Sequence, residues 1–122
     1  AANIIEEAAA MTTQVLGETI QSDVPGTFAM GLRVPTGVCI GMAPWNAPVI
    51  LGVRSIAMPL ACGNTVIVKP SEETPATATL LGEVMNAVGI PKGVYQVLHG
   101  FGPGSAGAFI TAWIAMMPLA PP

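Results

Sequence analysis

Apolar residues recur at helical spacing along the first stretch of the chain. Ile4, Ile5, Ala8, Met11 and Val15, with Thr12, fall on one face, which predicts a helix over Ala2 to Leu16 with Gly17 as its stop. From Glu18 to Met30 the periodicity gives way to turn signals, Ser22-Asp23 and Pro25-Gly26, followed by short extended runs. Val38 to Met42 reads as a buried strand, and Ala43 to Pro48 as a loop. A helix follows from about Ala47 to Ala61, with Ile50, Val53, Ala57 and Leu60 at helical spacing and Gly63-Asn64 at its end. Thr65 to Lys69 is a short β-branched strand of the buried, parallel kind.

The next helix has the clearest boundaries. Thr74 is a favourable N-cap, Pro75 suits the first helical position, and Leu81, Val84, Met85 and Val88 predict its inner face. Gly89 supplies the stop, with Pro91 just beyond. Val94 to Leu98 predicts another strand, leading into GFGPGSAG and a helix from about Ser105. Strand and helix therefore alternate, which implies an α/β fold with right-handed βαβ crossovers and a parallel sheet. Such a sheet binds ligands at the carboxyl ends of its strands, so function is expected in the loops after Met42, Lys69 and Leu98.

Composition changes the picture in one respect. The 122 residues suffice for one domain, yet 52% are apolar and 9% charged, well under the roughly quarter usual for soluble domains. Two explanations compete, a membrane span or a surface that belongs against something else. The uncharged stretch from Val34 to Val53 is interrupted by Pro35, Pro44 and Pro48, and a spanning helix needs roughly 20 continuous apolar residues, so no membrane is expected. The expected cause is missing chain: an internal piece of a longer protein, with no signal peptide and no initiator Met. A net charge of −3 with four basic residues gives no footprint for nucleic acid. Cys39 and Cys62 form neither a metal cluster nor a disulfide framework, and a reducing cytoplasm fits them.

Each of the three loops admits two readings. Gly102, Gly104 and Gly107 match G-x-G-x-x-G between a strand and a helix, the dinucleotide fingerprint, although a glycine-rich turn there needs no ligand. Glu72 at a strand's carboxyl end can accept hydrogen bonds from both ribose hydroxyls with Lys69 donating to the same sugar, or Glu72 and Glu73 merely favour the following helix. Asn46 either caps its helix or donates its amide to a developing oxyanion.

Taken together, the segments GVCIGMAPWNAPVILGVRSIAMPLACGNTVIVKPSEETP and VYQVLHGFGPGSAGAFIT resemble the aldehyde dehydrogenase superfamily, in its order and at its distances. Within it the chain is most similar to dehydrogenases of aromatic aldehydes, the salicylaldehyde and benzaldehyde types. The resemblance covers residues 1–111 as part of the cofactor-binding domain, and residues 112–122, AWIAMMPLAPP, depart from the family's pattern. It implies an incomplete Rossmann-like nucleotide-binding domain, preceded by a helix and extended segments that lie near an oligomer interface in the family. A homo-oligomeric parent is therefore expected.

The implied reaction is oxidation of an aldehyde to a carboxylic acid with NAD or NADP, by a cysteine thiolate and a glutamate base. Neither Cys39 nor Cys62 matches the family's nucleophile, so the chain alone is expected to be inactive, with a non-catalytic nucleotide-binding module or a structural or interaction remnant as the alternative readings. By resemblance Asn46 holds the oxyanion, Lys69 and Glu72 bind the adenosine ribose, and Ser71 leaves room for a 2′-phosphate. Met42, Ala43, Pro44 and Trp45 line the cofactor cleft, while Phe101, Gly102 and Pro103 lie beside the adenine half. The family's pyrophosphate sits elsewhere, so the resemblance removes the fingerprint explanation of the glycine loop and keeps the cofactor contact.

Overall fold

The computed structural model describes residues 1–101. The helix expected from Ser105, together with Gly102, Pro103 and the segment 112–122, lies outside the described residues. Helix α1 spans Ala2–Met11 and continues into a 3-10 turn over Thr12–Gln14 instead of running to Leu16. Only Ala8 of its expected face is fully buried, while Ile5, Met11 and Val15 remain exposed. Strands β1 (Glu18–Ile20) and β2 (Ala29–Gly31) pair antiparallel as a small separate ribbon.

The α/β unit follows. Strand β3 (Val38–Ala43), helix α2 (Pro48–Ala61), strand β4 (Thr65–Pro70), helix α3 (Pro75–Ala87) and strand β5 (Tyr95–Val97) alternate as the hydrophobic pattern predicts. The sheet has the order β3-β4-β5 and is parallel throughout, with Val38 opposite Thr65, Ala43 opposite Pro70, and Val66 opposite Tyr95. All three strands therefore end on the same edge.

Burial in β4 alternates strictly, with Val66, Val68 and Pro70 buried. Period-two alternation puts those three on one face of the sheet. Val66 and Val68 join Ala43, Ile56 of α2 and Ala78 of α3 in one cluster, so both helices pack on that face. Helix α1 adds an outer layer, as Ala8 meets Val53 and Ala57 of α2. The expected inner face of α3 is half right: Leu81 and Met85 pack inward, but Val84 and Val88 are exposed. The actual seam runs through the small residue Ala78, which lets the helix lie close to the strands.

Both helices stop for the same reason. Gly63 and Gly89 have φ of 79° and 85°, a region that glycine enters without steric cost. Each sits one residue past a cap, so that Asn64 N–H reaches Pro59 O and Ile90 N–H reaches Met85 O at 3.0 Å, closing the six-residue loop of a Schellman end. Asn64 does more than follow a stop. It is buried, its Oδ1 accepts from Gly37 N–H at 2.9 Å, and its Nδ2 donates to Pro59 O at 3.1 Å. It thereby ties the end of α2 to the entry of β3.

Gly41 sets how closely α2 lies on β3. A Cβ built there would come within 2.9 Å of Ser55 Cβ, which has no flexible end to move aside. Gly41→Ala is expected to lower stability by about 1–3 kcal/mol, the usual cost of overpacking. An unchanged urea midpoint would show that the two elements can part freely.

Tyr95 ends the inner face of the sheet, with its hydroxyl donating to Ala78 O at 3.1 Å. Burial raises its pKa above the ordinary 10.0, because the phenolate loses solvation there. A raised folded-state value favours the neutral form, so this stabilisation is complete below pH 10 and fades as pH rises through the folded pKa. Wild-type stability should therefore fall more steeply between pH 9 and about 11 than that of Tyr95→Phe. Parallel denaturation curves for the two proteins would contradict it.

Candidate functional site

The parallel register brings the ends of β3, β4 and β5 to one edge, and the backbone ties the three loops together there. Ser71 N–H donates to Ala43 O at 2.8 Å, joining the turn after β4 to the end of β3. Leu98 N–H donates to Val68 O at 2.9 Å, joining the exit of β5 to β4. The three loops singled out from the sequence are neighbours.

The turn after β4 is held by Ser71. Its Oγ accepts Glu73 N–H at 3.2 Å and its carbonyl accepts Thr74 N–H at 3.1 Å. Thr74 occupies the cap position of α3 as expected, but its hydroxyl makes no capping bond and is buried without a partner among the described residues. Lys69 is largely covered, with Nζ donating to Pro70 O at 3.0 Å and lying 3.7 Å from Glu72 Oε2. The Glu72 side chain is 45% exposed, so its carboxylate keeps acceptor positions open to a ligand. A hydrogen-bonded ammonium beside a half-exposed carboxylate offers both donors and acceptors, which suits a vicinal diol.

Ser71, Glu72 and Phe101 come together in one cleft of 280 Å³, with Pro70, Pro75, His99 and Gly100 completing its walls. Its size suits one ring system and part of a sugar rather than a whole dinucleotide. His99 lines the cleft but is not among the residues singled out from the sequence. The signal was available, since a titratable ring directly after a strand on the ligand-binding edge is a candidate by position alone. Two larger hollows, 680 and 620 Å³, share Val15, Leu32, Arg33 and Cys62, and the 620 Å³ one includes Asn64 and Cys39 near the amino-terminal ends of the strands. They lie away from the edge where parallel sheets bind ligands, and the smaller cleft lies on it.

Met42, Ala43, Pro44, Trp45 and Asn46 occupy the end of β3 and the turn after it, beside the cleft rather than in its wall. Ala43 turns its side chain into the core. Met42 and Trp45 stand 63% and 66% exposed, an apolar rim on the loop. Asn46 is also exposed, and its amide makes no hydrogen bond among the described residues. The cap position of α2 belongs to Ala47, with Pro48 opening the helix. The capping reading of Asn46 is therefore not what the structure adopts. The amide stands free beside a helix amino terminus, whose unpaired N–H groups carry partial positive charge.

Cys39 packs against the core cluster and Cys62 closes α2, so neither reaches the carboxyl edge. Among the described residues no group of three or more His, Cys, Asp or Glu could hold a metal ion, and no helix is long and apolar enough to cross a membrane.

A parallel βαβαβ unit with a lysine–glutamate pair and a free asparagine amide on its ligand edge is the layout expected of a nucleotide-binding domain. The sequence pattern of the aldehyde dehydrogenase family matches residues 1–115, and the chain belongs to that family. Over 115 residues it is 56% identical to the vanillin dehydrogenase of Pseudomonas fluorescens, a match covering 94% of this chain and 24% of that protein. It superposes on the crystal structure of a salicylaldehyde dehydrogenase from Pseudomonas putida G7, complexed with salicylaldehyde, with a TM-score of 0.85 and 40% identity over 95% of this chain and 24% of that one. A NAD-dependent benzaldehyde dehydrogenase from Corynebacterium glutamicum gives a TM-score of 0.78 and 36% identity, covering 82% of this chain and 22% of that one. The chain spans about a quarter of the length of these relatives. The expected likeness to dehydrogenases of aromatic aldehydes is borne out in their names.

Proposed function

We propose that this chain is the adenosine-binding and oxyanion-binding quarter of an NAD(P)-dependent aldehyde dehydrogenase that oxidises an aromatic aldehyde to its carboxylic acid. The observation that carries it is the convergence of Lys69, Glu72 and Asn46 on one edge of a parallel sheet. Glu72 accepts hydrogen bonds from the ribose hydroxyls and Lys69 donates to the same sugar. Ser71, a small side chain in the same cleft, leaves the 2′ position open, so the residues fit NAD or NADP. Met42, Ala43, Pro44 and Trp45 bound the path toward the reacting end, and Phe101 stands beside the base, with Gly102 and Pro103 next in the chain.

The nicotinamide supplies the hydride acceptor when it is bound. What this chain adds to the chemistry is a hydrogen bond. The Asn46 amide donates to the oxygen of the substrate as negative charge builds on it, first in the adduct with the nucleophile and again before hydrolysis. The thiolate and the general base come from the rest of the parent, as the placements of Cys39 and Cys62 agree. The exposed apolar residues Leu16, Phe28, Leu32 and Val34 are then surface that the remaining chain, or a second copy in a homo-oligomer, covers.

The purified chain should bind 5′-AMP but produce no NADH from vanillin or salicylaldehyde with NAD. Aldehyde-dependent NADH formation by the chain alone would overturn the division of labour described here. Absence of any nucleotide binding would overturn the adenosine assignment.

A further inference from the structure

Strands β3 and β4 run parallel with Met42 opposite Lys69 and Ala43 opposite Pro70. Ala43 and Pro70 are buried on the side of the sheet that the helices cover. Successive residues of a strand alternate, so Met42 and Lys69 project together from the other face. Neighbouring strands lie about 5 Å apart, a span that two long unbranched side chains bridge easily. Met42 is 63% exposed, against 52% for Met30, 41% for Met58 and 36% for Met11. An accessible thioether therefore stands beside the ammonium assigned to the ribose.

The donors of that ammonium can be counted. Lys69 Nζ carries three hydrogens. One goes to Pro70 O at 3.0 Å, and Glu72 Oε2 lies 3.7 Å away. The donor capacity that remains is what a sugar hydroxyl would use. A thioether sulfur is a weak acceptor and leaves it free. A sulfoxide oxygen is a strong one, and peroxides convert accessible methionine to the sulfoxide.

Resting on the adenosine reading above, we infer that Met42 is an oxidation site that switches ribose binding. Hydrogen peroxide transfers one oxygen to the Met42 sulfur as its O–O bond breaks. The sulfur is oxidised by two electrons, and the second peroxide oxygen leaves as water. The new S–O oxygen accepts the Lys69 N–H that the ribose would otherwise receive. A methionine sulfoxide reductase, with a thiol as reductant, reverses the step and releases the ammonium.

The test is titration of the full chain with 5′-AMP, followed by NMR, before and after hydrogen peroxide, with the added oxygen located by peptide mass. The expected result is oxygen at Met42 and binding about tenfold weaker, the worth of one hydrogen bond from a charged donor. Reduction by the reductase should restore the untreated affinity. In Met42→Leu, peroxide should leave the affinity where it was before treatment. Met42→Gln puts a carbonyl oxygen at similar reach and should bind as weakly as the oxidised chain without any peroxide. The urea midpoint of the oxidised chain should match that of the untreated one, and a fall that accounts for the lost binding would overturn the switch. Equal affinity before and after oxidation of Met42, or an equal loss in Met42→Leu, would overturn it as well and leave the ribose reading standing. If the untreated chain binds no 5′-AMP, the ribose reading fails and the switch with it.

Discussion

Asn46→Ala should lower kcat by about 10²–10³ in a vanillin dehydrogenase of the Pseudomonas fluorescens type whose matching quarter is replaced by residues 1–115 of this chain. The magnitude is that of one preorganised donor removed from a charge that develops only in the transition state. Substrate binding should hardly change, so kcat and kcat/KM should fall together. The structure supports the assignment because the amide is not spent on its own helix, whose cap position is Ala47. A residue that merely capped α2 would behave differently, costing about 1 kcal/mol of stability on truncation with kcat untouched. Steady-state rates and a urea denaturation curve on the same variant separate the two outcomes.

The second large effect belongs to Glu72. Glu72→Gln should weaken dinucleotide binding about 10- to 100-fold, because hydrogen bonds from hydroxyls to a carboxylate are worth roughly 1.5–3 kcal/mol and those to an amide less. Lys69 is already tied to Pro70 O, so it holds its place when its carboxylate partner is lost. The 3.7 Å pair with a half-exposed partner adds little to stability, so the variant should unfold at nearly the wild-type denaturant concentration. The loss should be larger for NAD than for NADP, since removing a carboxylate also removes a like charge near the 2′ position. Calorimetric titration with both cofactors reads this directly. Equal affinity of wild type and variant for NAD would remove Glu72 from the site.

The α/β alternation was legible because the local signals agreed with one another. β-branched residues from Thr65 to Val68, proline at the first position of α3, and glycine past each helix end each specify a backbone conformation without needing the rest of the fold. The faces were less legible. Val84 and Val88 fit the helical period but stay exposed among the described residues, while Ala78, too small to mark a core by hydropathy, sits at the seam with the sheet. Which face of a helix is buried depends on what lies across from it. Thr12 and Val15 keep the helical spacing of the first face, yet the chain tightens into a 3-10 turn over Thr12–Gln14 before the antiparallel ribbon.

The site divided in the same way. Lys69, Glu72 and Asn46 were marked by lying at or just past a strand's end on the expected ligand edge and Ser71 by the family resemblance, and the parallel register does bring those loops together. The capping reading of Asn46 could be weighed only once the helix start was fixed at Pro48. The position of His99 just past β5 was legible, but its contact with Thr79, 20 residues away in sequence, was not. Asn64 escaped for a similar reason, since its tie to Gly37 spans 27 residues and no local pattern encodes it.

The central claim is that this segment is a working quarter of an aldehyde dehydrogenase, and the graft into the vanillin dehydrogenase tests it most directly. The measurement is NADH formation from vanillin by the purified graft, against the recipient enzyme with its own segment. A working quarter predicts turnover within about tenfold of the recipient, with KM for the cofactor following the state of Glu72. A graft that folds and assembles like the recipient but forms no NADH would contradict it.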